Sequence, residues 1–241
     1  MGENNEFIPE FAEIWNQATN KPIEDIKEKK HDKHNTPKKK KKKPKIALNE
    51  DQKKALIDLA YENKFQHGVL LDVAFESGLR INELRNLIVS NFISSKGWIN
   101  VIKRTKGLHH ESFIPKTVSS ERTIEIFKRK TVSNLKQLID GKKNGYIFTT
   151  YMSKLQYKQY GSVRSMINII NKYAKECELI RKPIGFHTTR RTYASLLMAK
   201  GINIYDISKL LGHSSLQVTF RYLKETRAVD FNSIRNQLKG K

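Results

Sequence analysis

Four short stretches hold side chains whose type and spacing suit them to an anion. In Ser77-Gly78-Leu79-Arg80 a glycine turn delivers an arginine to a helix start. Guanidinium and unpaired backbone amides both attract phosphate there. His187-Thr188-Thr189-Arg190 sets an imidazole and a guanidinium three residues apart on one helix face, so both can reach one anion. Arg191 then points elsewhere and is expected to make a structural ion pair. Leu211-Gly212-His213-Ser214-Ser215 reads as a helix end, a glycine stop and a new N-cap at Ser214, which leaves His213 at a loop tip. Tyr222 follows nine residues later, within Thr219-Phe220-Arg221-Tyr222-Leu223. Taken singly, none is specific. An arginine after a glycine turn is commonly solvated or structural, and a tyrosine in an amphipathic helix is ordinarily half-buried packing.

The elements that must position them are mostly helical. Asn49 followed by Gln52 resembles a capping box, and Ala55, Leu56, Leu59 and Ala60 then give a helical stripe. A second apolar helix covers 68–76 and a short third covers 81–87. Trp98-Ile99-Asn100-Val101-Ile102 and Ser112-Phe113-Ile114-Pro115 read as two strands joined by a basic loop. Helical patterns follow over 121–130 and 132–139, a short strand over 146–148, then helices over 163–177, 188–200, 204–211 and 216–224. The expected class is mainly α with a small antiparallel β-sheet (α+β), without internal repeats.

The charge is heavily positive: 46 Lys+Arg against 24 Asp+Glu among 241 residues, a formal net of +22. It is not confined to a tail. Residues 1–45 hold twelve lysines and eight acidic residues, so the other 196 keep 34 basic and 16 acidic ones. Cys177 is the single cysteine, which excludes an intramolecular disulfide and a Cys-rich zinc site. No apolar run approaches the roughly 18 residues of a membrane span, and the start lacks a signal peptide's basic and apolar regions. These features point to a reduced intracellular protein, cytoplasmic and DNA-associated, with no membrane partner and nucleic acid as its polyanion. Lys38 to Lys43, between Pro37 and Pro44, reads as an extended linker touching phosphates without sequence preference. A nuclear localisation signal is the alternative. Ahead of it Phe7, Ile8, Phe11, Ile14 and Trp15 recur at helical spacing and can dock on the body or on another subunit. The expected organisation is a short segment plus linker over 1–45 and one domain over 46–241 with a C-terminal tail helix.

Order and spacing bind the four stretches together. Gly-Leu-Arg with Glu three later, His-x-x-Arg followed by Arg-Thr-Tyr-Ala, Leu-Leu-Gly-His-Ser-Ser and a tyrosine nine residues on closely resemble the catalytic domain of the tyrosine recombinase (phage integrase) family. The resemblance covers about 46–230 and is nearly continuous over 185–223. It implies that Arg80 and Arg190 hold a scissile phosphate, that His187 partners Arg190, that His213 is the second active-site histidine, and that Tyr222 is the nucleophile. Glu83 matches the acidic residue after the first arginine, taken as structural support. The family's general acid is a hairpin lysine; Lys106 in Thr105-Lys106-Gly107 fits that position, with Lys103 as runner-up.

Physical chemistry accepts these roles. Attack on a phosphodiester builds negative charge on the non-bridging oxygens, which two bidentate arginines stabilise most in the transition state. A phenol with a reference pKa of about 10 is a poor nucleophile at neutral pH. A basic pocket favours its phenolate, and His187 can accept the proton. The leaving 5′-oxygen takes a proton from the lysine. No cofactor and no metal is expected, and His109-His110-Glu111 is read as a DNA-facing or inert loop. Family members usually carry a separate N-terminal DNA-binding domain of about a hundred residues, which 1–45 cannot supply. The expectation is a DNA strand-exchange enzyme, assembled as a homotetramer on double-stranded DNA, with the segment over 231–238 docking on a neighbour. The alternatives are a topoisomerase-like or telomere-resolving strand transferase, and a DNA-binding protein of reduced catalysis.

Overall fold

The computed structural model describes residues 46–107, 111–153, 156–159, 162–178, 180 and 182–224. The stripe at Phe7–Trp15, the lysine run, His109-His110 and the tail segment lie outside the described residues. Helix α1 spans Glu50–Asn63 and begins at the expected capping box: Asn49 Oδ1 accepts from the Gln52 N–H at 2.8 Å, and Gln52 Oε1 accepts from the Asn49 N–H at 3.1 Å. Helix α2, Phe65–Ser77, is apolar on nearly every side because it runs through the core, with Val69 to Phe75 buried.

Gly78 stops α2 in the left-handed region at φ 59, and a side chain there would meet the Tyr193 ring at 2.4 Å. Glycine meets both constraints. The chain reverses and delivers Arg80 as the N-cap of α3, Ile81–Arg85. A three-stranded antiparallel sheet follows in the order β1 (Phe92–Ile93), β2 (Trp98–Val101), β3 (Arg122–Glu125), with Val101 opposite Arg122.

This sheet departs from the sequence expectation. On its other edge from β1, β2 pairs with 122–125, not 112–115, and 121–128 is not helical. Arg122-Thr123-Ile124-Glu125 alternates in burial with Ile124 fully inside, a period of two that a strand satisfies. Residue 113 contributes one isolated bridge, Arg104 with Phe113, and Pro115 has no N–H to extend the ladder. Residues 102–121 are therefore a long connection, and α4 starts only at Arg129, ending at Ile139. Around 146–148 there is a bridge from Tyr146 to Ile88 rather than a strand. A second, unexpected hairpin pairs β4 (Thr149–Ser153) with β5 (Gln156–Gln159).

The C-terminal half matches expectation closely: α5 (Val163–Glu176), α6 (Phe186–Ala199), α7 (Ile204–Leu211) and α8 (Leu216–Lys224). One large apolar cluster joins α1, α2, the three-stranded sheet, α4 and α5. A smaller one, Tyr193, Ala194, Ile204, Ile207, Leu211 and Leu223, holds α6, α7 and α8 together, with Tyr222 packed on it. The nucleophile candidate thus rides on the element with the slighter apolar anchorage. Among the described residues no helix is long and apolar enough to cross a membrane.

Candidate active site

The site is organised by the C-terminus of α7, where backbone carbonyls lack helical partners and the helix dipole is negative. Three arginines converge on it. Arg80 donates from Nη2 to Gly212 O at 2.8 Å, Arg122 from Nε to Leu210 O at 2.7 Å, and Arg190 from Nη2 to Leu211 O. Arg190, 3% exposed, also donates to Gly78 O at 2.8 Å, so the glycine that ends α2 orients it as well. Gly212 has φ 61, and a Cβ there would lie 2.9 Å from Ser119 O. That close approach lets the 118–120 turn reach the arginines.

Glu83, 4% exposed, ties two of them together. Its oxygens accept from Arg80 Nη1 and the Arg80 N–H, both at 2.8 Å, and from Arg122 Nη1 and Nη2 at 3.1 and 2.9 Å. Burial by itself would raise this carboxyl; the bonds and charges of Arg122 and then Arg80 more than reverse that, leaving it below its ordinary value. Three guanidiniums against one carboxylate leave two positive charges. Burial, then the charges of Arg80 and Arg122, pull Arg190 down to about 9, still cationic at neutral pH.

His213 Nδ1 lies 2.8 Å from Thr219 Oγ1, and its ring meets Tyr222 edge to face with centroids 5.6 Å apart. Burial, then Arg190, Arg80 and Arg122, lower this imidazole to about 3, so it is neutral at pH 7. Tyr222 is half-buried, and its hydroxyl donates to the main-chain oxygen of His187 at 3.2 Å. Burial raises its pKa overall, while Arg190, Arg191 and Arg80 pull the other way.

Arg80, Arg190, His213 and Tyr222 are thus brought together, with the His187 backbone beside them. Lys106 is not. It is 73% exposed and faces Glu111 at 3.8 Å in the 102–121 connection. Residues missed by sequence reasoning are Arg122, Ser120 and Thr219. Ser120 Oγ accepts from Arg80 Nη1 at 3.2 Å. The alternation over 122–125 would have placed Arg122 on the face of Ile124 had it been read as a strand; nothing local marks Ser120 or Thr219. Arg191 also differs from expectation: its guanidinium carbon stands 5.1 Å from the centre of the Tyr222 ring, and among the described residues it makes no ion pair.

Residues 47–228 match the family model described as "Phage integrase family". Tyrosine recombinase XerC of Thermodesulfovibrio yellowstonii is 31% identical over 182 residues, covering 74% of this chain and 57% of that protein. This chain therefore spans little more than half the length of that relative. The crystal structure of XerA recombinase superposes with a TM-score of 0.63 at 22% identity, over 81% of this chain and 63% of that one. The Tn1549 transposon integrase (aa 82-397), in complex with circular intermediate DNA, gives 0.64 at 20% identity over 82% and 67%. Fold, ordered sequence stretches and family match agree, and the chain belongs to the phage integrase family.

Proposed function

We propose that this protein cuts and rejoins DNA strands through a 3′-phosphotyrosyl intermediate, with Tyr222 as the nucleophile. The observation that carries this reading is a phenol set against three guanidiniums whose charge exceeds that of their one carboxylate by two. That excess suits a pentavalent phosphate gaining charge in the transition state. Arg80 spends three of its five N–H groups on Glu83, Ser120 and Gly212, leaving donors for a non-bridging oxygen. Arg190 supplies the second clamp.

His187 takes the phenolic proton as the Tyr222 oxygen bonds to phosphorus. His213, held neutral, is the poorer base and serves as a hydrogen-bond donor to the phosphate, its Nδ1 partnered by Thr219. The bond from phosphorus to the 5′-oxygen breaks, and that oxygen leaves with a proton from a lysine. Reversal by another 5′-hydroxyl rejoins a strand. The target is double-stranded DNA, and two sites held by a homotetramer are the working assembly.

Lys106 is the donor inferred from the sequence. A second reading favours Lys116, which directly precedes the turn whose Thr117 Oγ1 bonds Ser120 Oγ at 2.8 Å, itself bonded to Arg80. A substrate with sulfur at the 5′-bridging position distinguishes them, because a thiolate leaves without a proton. The donor's alanine variant regains cleavage on that substrate; alanine at the other lysine gives no such selective rescue. The reading as a whole is tested with nicked suicide duplexes. Wild type should give a protease-sensitive covalent band and Tyr222→Phe none; a band of equal yield from the variant would refute it.

A further inference from the structure

Helix α6 presents two consecutive arginines, and neighbouring positions on a helix point about 100° apart. Arg190 turns inward to the carbonyls of Gly78 and Leu211. Arg191 swings toward α8, on the face it shares with His187 one turn earlier. That single face grips Tyr222 twice. The His187 carbonyl accepts from the hydroxyl at 3.2 Å, and the Arg191 guanidinium carbon lies 5.1 Å from the ring centre. The Arg191 Nε is buried with no hydrogen-bond partner among the described residues. Burying such a donor is costly, and the negative face of an aromatic ring is the compensation available.

We propose that Arg191 is a positioning residue for the nucleophile: lying over the Tyr222 ring, it both seats the phenol beside the phosphate-binding arginines and favours its phenolate. The inference rests on the reading of Tyr222 as the nucleophile and adds to it a residue outside the phosphate clamp. A cation over a ring is attracted by the π-face of the phenol and more strongly by the phenolate, whose ring carries added negative charge. The contact therefore strengthens as the proton leaves, which is the requirement for lowering a barrier rather than only binding. Other groups facing the phenol are Arg190 on the same helix, Arg80 at the start of α3, and His213 in the turn before α8. Arg80 is engaged by Glu83, Ser120 and the Gly212 carbonyl, Arg190 by the Gly78 and Leu211 carbonyls and by a hydrogen bond to the phenol oxygen, and His213 is neutral at pH 7. Arg191 is the cation among them whose observed contact is with the ring itself.

Geometry and charge make separable contributions, and two variants divide them. Arg191→Met keeps an apolar stem against the ring and removes the charge, whereas Arg191→Lys keeps a charge and gives up the planar fork. The first readout needs no DNA. With ¹³C-labelled tyrosine, the Tyr222 signal among nine tyrosines is identified by its absence in Tyr222→Phe and titrated by NMR. Arg191→Met should raise the phenol's pKa by about one unit, the size of a partly desolvated cation–π contact. Arg191→Lys should recover at least half of that shift.

The second readout is single-turnover cleavage of a nicked duplex against pH. The alkaline-rising limb should move up by the same amount in Arg191→Met, a roughly ten-fold loss at pH 7, and Arg191→Lys should restore it in part. A wild-type adduct together with an unmoved titration, or a loss uniform across pH and equal in both variants, overturns the inference and leaves Tyr222 in place. Absence of any adduct from wild type overturns the reading of Tyr222 and this inference with it. Should Arg191→Met fail to fold, Arg191→Gln takes its place: an upward shift of the limb, with Arg191→Lys nearer to wild type, supports the charge role, and a loss without a shift in either variant contradicts it.

Discussion

Replacing Glu83 by Gln tests whether the buried carboxylate is what holds the arginine cluster together. The substitution is nearly isosteric, yet it removes the one negative charge among three guanidiniums. It also turns one of two oxygens, each now accepting two hydrogen bonds, into a donor facing other donors. Each ion pair at a charge separation of about 4 Å is worth about 4 kcal/mol at an effective dielectric near 20. Burial of the ions consumes several kcal/mol of that sum. Removing one partner leaves the remaining charges buried and uncompensated, which costs about 3–5 kcal/mol. For a domain of this size that is a drop in Tm of roughly 10 °C. The effect must also vanish in acid. The Glu83 carboxyl lies below its ordinary 4.5 when folded, so its stabilisation is present above about pH 4.5 and is lost as pH falls through the folded value. Thermal melts of wild type and Glu83→Gln at pH 7.5 and at successively lower pH should therefore converge. A difference of less than about 2 °C at pH 7.5, or a gap that widens in acid, would refute the electrostatic account of the cluster.

Other consequences are open to direct measurement. Gly78→Ala should destabilise by about 3 kcal/mol, from the left-handed conformation together with the crowding against Tyr193, and chemical denaturation reads this directly. His67 is lowered to about 4 by burial and then by the charges of Lys64 and Lys172, with its Nδ1 2.8 Å from the Tyr173 hydroxyl. Because its folded value lies below the ordinary 6.5, the stability it contributes is intact above that pH and declines as pH falls toward 4; His67→Gln should flatten the slope of stability against pH there. Binding to any duplex should weaken steeply with salt, by about a hundred-fold or more between 50 and 200 mM if five or more phosphates are neutralised, as titrated by fluorescence anisotropy.

Much of this site can be read from local sequence. Gly78 and Gly212 end helices in left-handed turns, and each turn delivers a functional residue, Arg80 or His213, at a position fixed by its neighbours in the chain. The helices carrying Arg190 and Tyr222 announce themselves by apolar spacing, and the bounds of the latter, 216–224, and of the helix between them, 204–211, are legible to the residue. What failed was long-range. The strand partner of Trp98–Val101 lies more than twenty residues on, past an apolar stretch at 112–115 that looks equally strand-like, and only burial of Ile124 in the folded core decides between them. Arg122 was lost with that strand. Arg191 was misread for a related reason: its partner is an aromatic ring on another helix, and charge patterning along one helix does not register such a contact.

The proposed reaction turns on one bond, between Tyr222 and DNA. The most direct measurement isolates the adduct formed on a nicked suicide duplex, digests protein and DNA, and identifies the modified peptide and nucleotide by mass spectrometry. The expected product is a nucleotide joined through its 3′-phosphate to the Tyr222 oxygen. A nucleotide on another residue, or a 5′-phosphate linkage, would contradict it.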